Sequence, residues 1–106
     1  MTDERTNEQI SAAIAERLFG ITPITSVWTK LSKTPFASDH NAALGLVVPE
    51  MRKRGWMFEM ADFSTGVDCG FVKVGFSKWA SCDFGQEPRA ICEAALAALD
   101  AEEVKP

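Results

Sequence analysis

Trp56-Met-Phe-Glu-Met-Ala-Asp-Phe63, Cys69-Gly-Phe-Val-Lys-Val-Gly-Phe76 and Trp79-Ala-Ser-Cys-Asp-Phe84 are three aromatic-rich runs that follow one another closely. The segments between them are Ser64-Thr-Gly-Val-Asp68 and the dipeptide Ser77-Lys78. Short aromatic and β-branched runs separated by turn residues are typical of strands. We therefore predict an antiparallel meander of three strands, with its turns in these two segments.

The side-chain pattern of the runs indicates how the sheet is covered. Every second residue from Trp56 to Met60 is a large apolar residue, which gives the first strand one apolar face. In the second run Val72, Val74 and Phe76 share a face, while Phe71 lies on the other. Apolar residues on both faces predict helices packed on both sides of the sheet.

Helical patterns flank the meander. Thr6 and Gln9 form a capping-box pattern before a helix predicted over 7–19. A second helix is predicted from an N-cap at Ser38-Asp39 to Gly55, with Leu44, Val47, Val48 and Met51 as its buried stripe. Pro49 should either kink this helix or restart it with the proline in a new first turn. A third helix is predicted after Gly85-Gln-Glu-Pro88.

These elements define one α+β domain over 7–100, between a disordered tail at 1–6 and a polar tail at 101–106. A further short edge strand is predicted over 25–31, from its β-branched and aromatic residues. The predicted order is α-(β)-α-β-β-β-α. It describes a small antiparallel sheet of three or four strands sandwiched by helices.

Composition limits the possible functions. The chain has 106 residues, enough for one core, and a formal net charge of -4. It contains no apolar run long enough to span a membrane. The polar start and the odd number of cysteines favour a reduced, cytoplasmic setting, here the cytoplasm of a host cell. An acidic domain is a poor general binder of DNA, because DNA binding depends on phosphate neutralisation.

The charge is unevenly distributed. The segment from Trp28 to Arg54 contains five basic residues and two acids. Acids concentrate at the two chain ends instead: Asp3, Glu4, Glu8, Asp100, Glu102 and Glu103. The ends therefore predict a surface for a basic partner, while Arg52, Lys53, Arg54 and an exposed Trp79 are a possible site for a small anion.

The candidate catalytic and metal-binding groups are few. His40 is the one histidine, and a helical neighbour such as Asp39 would not face it, so an exposed polar role is favoured over that of a general base. Cys69, Cys82 and Cys92 match no zinc-ligand spacing and lie in apolar elements, where free thiols pack as small hydrophobes. The glycines lack the phosphate-loop pattern. We predict no cofactor, no metal and no enzymatic activity.

Three segments resemble the phage ABA-sandwich-domain proteins: Leu18-Phe-Gly-Ile21, Pro35-Phe-Ala-Ser-Asp-His-Asn-Ala-Ala-Leu44 and Glu87-Pro-Arg-Ala-Ile-Cys-Glu-Ala-Ala-Leu96. The strand region between the last two fits the same order. This resemblance implies an antiparallel sheet between helical layers and a phage or prophage origin. It brings no established catalytic residues.

Three functions follow as hypotheses. The first is a non-enzymatic accessory protein that binds and inhibits a host protein, with the acidic ends facing a basic surface. The second is a protein that sequesters a small anionic nucleotide, and the third is an accessory protein of phage assembly. A homodimer is compatible with all three, since a sheet edge or an exposed Trp would provide an interface.

Overall fold

Local capping begins the first helix in the computed structural model, which describes residues 6–20 and 35–103. The Thr6 hydroxyl accepts a hydrogen bond from the Gln9 backbone N–H at 3.1 Å, and the Gln9 side chain accepts one from the Thr6 N–H at 2.8 Å. This capping box starts α1, Asn7–Arg17, as predicted. The prediction of an edge strand over 25–31 lies outside the described residues.

The second helical region is divided into three parts. Asp39 caps α2, His40–Ala42, by accepting hydrogen bonds from the N–H groups of the following turn. A π-helical segment, Ala43–Val47, follows, and α3 is Val48–Lys53. Pro49 stands in the first turn of α3, which confirms the restart alternative.

The wide π turn also changes which side chains are buried. Val47, Val48 and Met51 lie in the core as predicted, but Leu44 is exposed and Ala43 takes a buried position instead. A π turn contains one residue more than an α turn, so it rotates the residues before it relative to those after it. The prediction that Leu44 belongs to the buried stripe was therefore wrong.

Three strands form the predicted meander. They are β1, Met57–Phe63, β2, Gly66–Lys73, and β3, Phe76–Cys82, paired antiparallel in the order β1-β2-β3. The second turn is at Val74-Gly75 rather than at Ser77-Lys78, which lie inside β3. Gly75 has a φ of +86°, a turn conformation that glycine adopts without steric cost. The predicted position of this turn was therefore wrong.

The last helix completes the core. α4, Glu87–Glu103, packs against β2 and β3 on one side and against α1 on the other. Its buried stripe is rich in small residues, which allow close approach to the sheet: Ala90, Ile91, Ala94, Ala95, Ala98 and Leu99. The helix continues to Glu103, so residues 101–103 are helical although they were predicted to be tail.

The two faces of the sheet differ. The helix-facing side carries the buried Val67, Cys69 and Phe71. The opposite side, called the open face below, carries Met57, Phe63 and Trp79, all about half exposed or more. The α+β class and the antiparallel sheet are confirmed. The described helices all lie on one face of the sheet. The helical layer predicted for the second face is not found in residues 6–20 and 35–103.

Candidate functional site

The predicted acidic ends are partly committed to internal contacts. Asp100 forms an ion pair with Arg17 at 2.7 Å. Glu102 accepts a hydrogen bond from the buried Trp56 indole N–H and lies 4.0 Å from Lys73. Glu8 is exposed on α1. Asp3, Glu4 and the side chain of Glu103 lie outside the described residues. Much of the charge at the described chain ends is therefore offset within the fold.

The predicted anion site is not assembled either. Lys53 pairs with Glu50 at 3.5 Å, and the Arg54 guanidinium donates to the Leu18 carbonyl at 3.3 Å. Arg52 is exposed in the last turn of α3. Trp79 is on β3, across the sheet from the strand that follows Arg54. The three cavities described below are lined neither by Trp79 nor by these cations.

Trp79 has a structural role on the open face. Its ring covers Gly70 on the neighbouring strand so closely that a Cβ there would lie 2.4 Å from the indole. The indole N–H donates to the Ser77 hydroxyl at 2.6 Å. The side chain is nevertheless 45% exposed, whereas Trp56 is 1% exposed. Trp28 lies outside the described residues.

An open cavity of about 420 Å³ lies between the second helical region and β1. Its walls include Leu44, Met60 and Phe84, which are 43%, 49% and 59% exposed. Buried Val67 and Ile91 also line it. This volume is within the range of binding cavities, and such large exposed apolar side chains mark contact surfaces when they cluster.

Two polar side chains at this cavity form a contact between distant parts of the chain. The His40 Nε2 lies 2.9 Å from a Glu87 carboxylate oxygen, and the other carboxylate oxygen accepts from the Gly85 N–H at 2.7 Å. The hydrogen bond from His40, followed by that from Gly85, lowers the pKa of Glu87. Glu87 is thus a structural acceptor that joins α2 to the start of α4. The sequence analysis found His40 but not this partner.

A second acid, Asp62, lines the same cavity but makes no hydrogen bond or ion pair with any described residue. It stands on the helix-facing side of β1, opposite the buried Val67 of β2. Among the described residues, α4 packs mainly against β2 and β3, while the shorter α3 packs against β1. An acid is tolerated on this face because β1 extends beyond the α4 layer and leaves Asp62 exposed.

A second open cavity, of about 390 Å³, adjoins the first at Val67. Phe63, Asp68 and Asp83 line it, and Phe63 is 53% exposed. The Asp68 carboxylate accepts a hydrogen bond from the Ser81 hydroxyl at 2.6 Å. Phe63 and Asp68 stand on the open face and Met60 and Asp62 on the helix-facing side, so the two cavities meet around the β1–β2 turn end of the sheet. We call the residues at this end the sheet-end surface: Leu44, Met60, Asp62, Phe63, Asp68, Asp83 and Phe84.

The negative charge at this end contributes to the raised pKa of two thiols, the buried Cys69 and the partly buried Cys82. Burial above all, and then Cys82, Glu87, Asp68 and Asp62, raises the pKa of Cys69 to about 12. Burial, then Glu87, Asp83, Asp68 and Glu93, also raises the pKa of Cys82. Three separate carboxylates of the sheet-end surface thus act on thiols in the neighbouring strands, which shows a concentration of negative charge there.

The remaining chemistry is limited. In the described part of the chain, no three His, Cys, Asp or Glu side chains are placed to hold a metal ion. A third cavity, of about 810 Å³, lies at the opposite hairpin around Met57, Val74 and Phe76, and its one charged residue, Lys73, already donates to the Arg54 carbonyl at 3.0 Å. No helix of residues 6–20 and 35–103 is long and apolar enough to cross a bilayer.

Comparison with solved structures adds the fold relationship. The crystal structure of a phage protein from Bacillus cereus ATCC 14579 matches with a TM-score of 0.69 and 20% sequence identity, covering 94% of this chain and 93% of that chain. The two proteins share a fold. No protein-family model and no curated protein matches the chain, so membership of the ABA-sandwich family is not confirmed.

Proposed function

We propose that this protein is a non-enzymatic phage or prophage accessory protein that binds a basic surface of a host protein and blocks it. The observation that supports this proposal is the sheet-end surface, where exposed apolar side chains lie among carboxylates that no described cation neutralises. We assign partner binding to the acids at the sheet end rather than to those at the chain ends, because Asp100 and Glu102 already pair within the fold.

The apolar component is sufficient for a contact centre. Met60, Phe63 and Phe84 are each about half exposed, and they lie within two adjoining cavities. Aromatic residues and methionine are enriched at protein interfaces, and a few of them carry most of the binding free energy. On a free monomer of this size, such a cluster exposes apolar surface to water at an energetic cost that a partner would relieve.

The electrostatic component selects the partner. Asp62 and Asp83 are free of ion pairs to described residues, and Asp68 has the neutral Ser81 hydroxyl as its hydrogen-bond partner. A basic host surface, such as one that binds nucleic acid, would be attracted to these acids and would associate faster at low salt. A phage protein that covers such a surface would prevent it from acting on nucleic acid.

The similarity in fold to a phage protein from Bacillus cereus supports the proposed origin. It does not identify the host protein, which has to be found by experiment.

The test is capture of partners from a bacterial host lysate by the tagged protein, quantified by mass spectrometry. Wild type is compared with D62N/D83N, which removes two free acids of the sheet-end surface. The matched control is E8Q/E16Q, which removes two exposed acids of α1. A third variant, F84S, removes an exposed aromatic side chain without changing charge.

We expect at least one host protein to be captured by wild type and E8Q/E16Q, and to be reduced about tenfold by D62N/D83N and by F84S. Equal capture by all four proteins would overturn the proposal. If only E8Q/E16Q lost capture of the host protein, the binding surface would be at the chain ends instead. Capture of phage structural proteins alone would favour an assembly role.

A further inference from the structure

We infer that the cavity between the second helical region and β1 receives an arginine side chain of the partner, with Asp62 as the acceptor of its guanidinium. This inference rests on the proposed function and names the group that the sheet-end surface recognises. It starts from the position of Asp62, a carboxylate with no partner among residues 6–20 and 35–103, on the helix-facing side of a strand and at the edge of an apolar cavity.

The polar groups of the cavity differ in what they can still accept. Both carboxylate oxygens of Glu87 are occupied, one by His40 and the other by the Gly85 N–H. Neither oxygen of Asp62 accepts a hydrogen bond from the part of the chain that the structure describes. An incoming cation would therefore be bound by Asp62, while the His40–Glu87 pair keeps the cavity wall in place.

The apolar lining fits the stem of a long basic side chain. Met60 and Leu44 line the same cavity as Asp62 and are both exposed. Arginine buries its methylene groups along apolar surface while its guanidinium reaches a carboxylate. The planar guanidinium can donate two parallel hydrogen bonds to one carboxylate, and it is more weakly hydrated than the lysine ammonium, so arginine is favoured over lysine.

A structural explanation for Asp62 has to be separated from this one. Charged residues that point inward on an edge strand also prevent strands of different molecules from pairing. The two explanations differ in their consequences. An arginine acceptor loses ligand binding when it is neutralised, whereas an edge-protecting charge loses only its resistance to self-association.

The test is a titration of the isotope-labelled protein with Nα-acetyl-arginine methylamide, followed by amide chemical shifts in NMR. Nα-acetyl-citrulline methylamide is the neutral probe of nearly the same shape. The variants are D62N and the matched control E59Q, which neutralises an exposed acid of the same strand on the open face.

The arginine probe should cause saturable shifts at Leu44, Met60 and Asp62 with a dissociation constant in the millimolar range. Binding of the arginine probe should be retained in E59Q, and its affinity should fall about tenfold or more in D62N. The citrulline probe should cause no such shifts. Equal shifts with the two probes, or unchanged binding by D62N, would overturn the inference. Self-association of D62N with unchanged probe binding would assign the edge-protecting role instead.

The outcome is distinguishable from that of the proposed function. If D83N and F84S still reduce partner capture while D62N changes neither capture nor probe binding, the sheet-end surface stands and the arginine site fails. If the probe binds at Asp62 but no sheet-end variant reduces capture, the proposed function fails.

Discussion

Replacing Gly70 by alanine should destabilise the fold, and the effect should reverse in sign when Trp79 is removed. The reason is the packing of the indole on the Gly70 backbone. A Cβ at this position would lie 2.4 Å from the Trp79 Cδ2 atom, whereas carbon atoms in contact are ~3.5–4.0 Å apart. The ring must therefore move by about 1 Å or more to admit one methyl group.

The magnitude can be worked from what this movement disturbs. Displacing the ring from its rotamer costs ~0.5–1.5 kcal/mol. Breaking the indole hydrogen bond to Ser77 costs at most about 0.5–1.5 kcal/mol, with water available as a replacement partner. We expect G70A to lower the free energy of unfolding by about 1–3 kcal/mol, the usual range for added volume in a packed site.

The control is the same substitution in the W79A background. Without the ring, the three atoms that would lie nearest to a methyl group at Gly70 are gone. Alanine is then favoured over glycine in a strand by about 0.5–1 kcal/mol because it loses less backbone entropy on folding. Urea denaturation followed by circular dichroism measures all four proteins of the cycle. An equal effect of G70A in the two backgrounds would refute the packing of Trp79 on Gly70.

Three further predictions concern local features. T6A should lower the free energy of unfolding by about 0.5–2 kcal/mol through loss of the α1 cap, measured by urea denaturation. The His40 hydrogen bond lowers the pKa of Glu87, so the stabilisation it gives is present above the ordinary pKa of 4.5 and is lost as the pH falls through the pKa of the folded state. The difference in thermal stability between wild type and E87Q should therefore shrink on acidification. A difference that stays constant with pH would contradict this. Burial raises the pKa of both Cys69 and Cys92 to about 12, so these thiols should react with an aromatic disulfide reagent at pH 8 only as fast as the protein opens, and rapid labelling of the folded protein would count against their burial.

The parts of the fold that depend on neighbouring residues could be predicted from the sequence. The Thr6–Gln9 capping box and the Asp39 cap are confirmed, since each depends on residues within one helical turn. The predicted meander is also confirmed, and it could be predicted for a similar reason. Alternating apolar residues and turn-forming residues are local properties of the chain.

The errors come from competition between local signals. The pattern Val72, Val74, Phe76 suggested a strand running to Phe76, but the turn that contains Gly75 at positive φ lies three residues earlier than predicted. In the second helical region the restart at Pro49 was one of two predicted alternatives. The π turn that precedes it was not predicted, and it is the reason that Leu44 faces solvent and the cavity rather than the core.

The candidate site depends on contacts that no local pattern contains. His40 and Glu87 are 47 residues apart in the chain, and Trp56 and Glu102 are 46 residues apart. The sequence analysis therefore assigned Glu102 to a partner surface, although the fold uses it to hold the Trp56 indole. Asp62 was not among the predicted site residues, because its value as a site depends on how far α4 extends over the sheet.

The most direct test of the central claim is hydrogen exchange of the protein alone and in complex with the captured host protein. If the sheet-end surface binds the partner, backbone amides of residues 60–68 and 81–87 should exchange more slowly in the complex, while those of 7–17 and 98–103 remain unchanged. Protection confined to the two chain ends, with no change over 60–68 and 81–87, would contradict the claim.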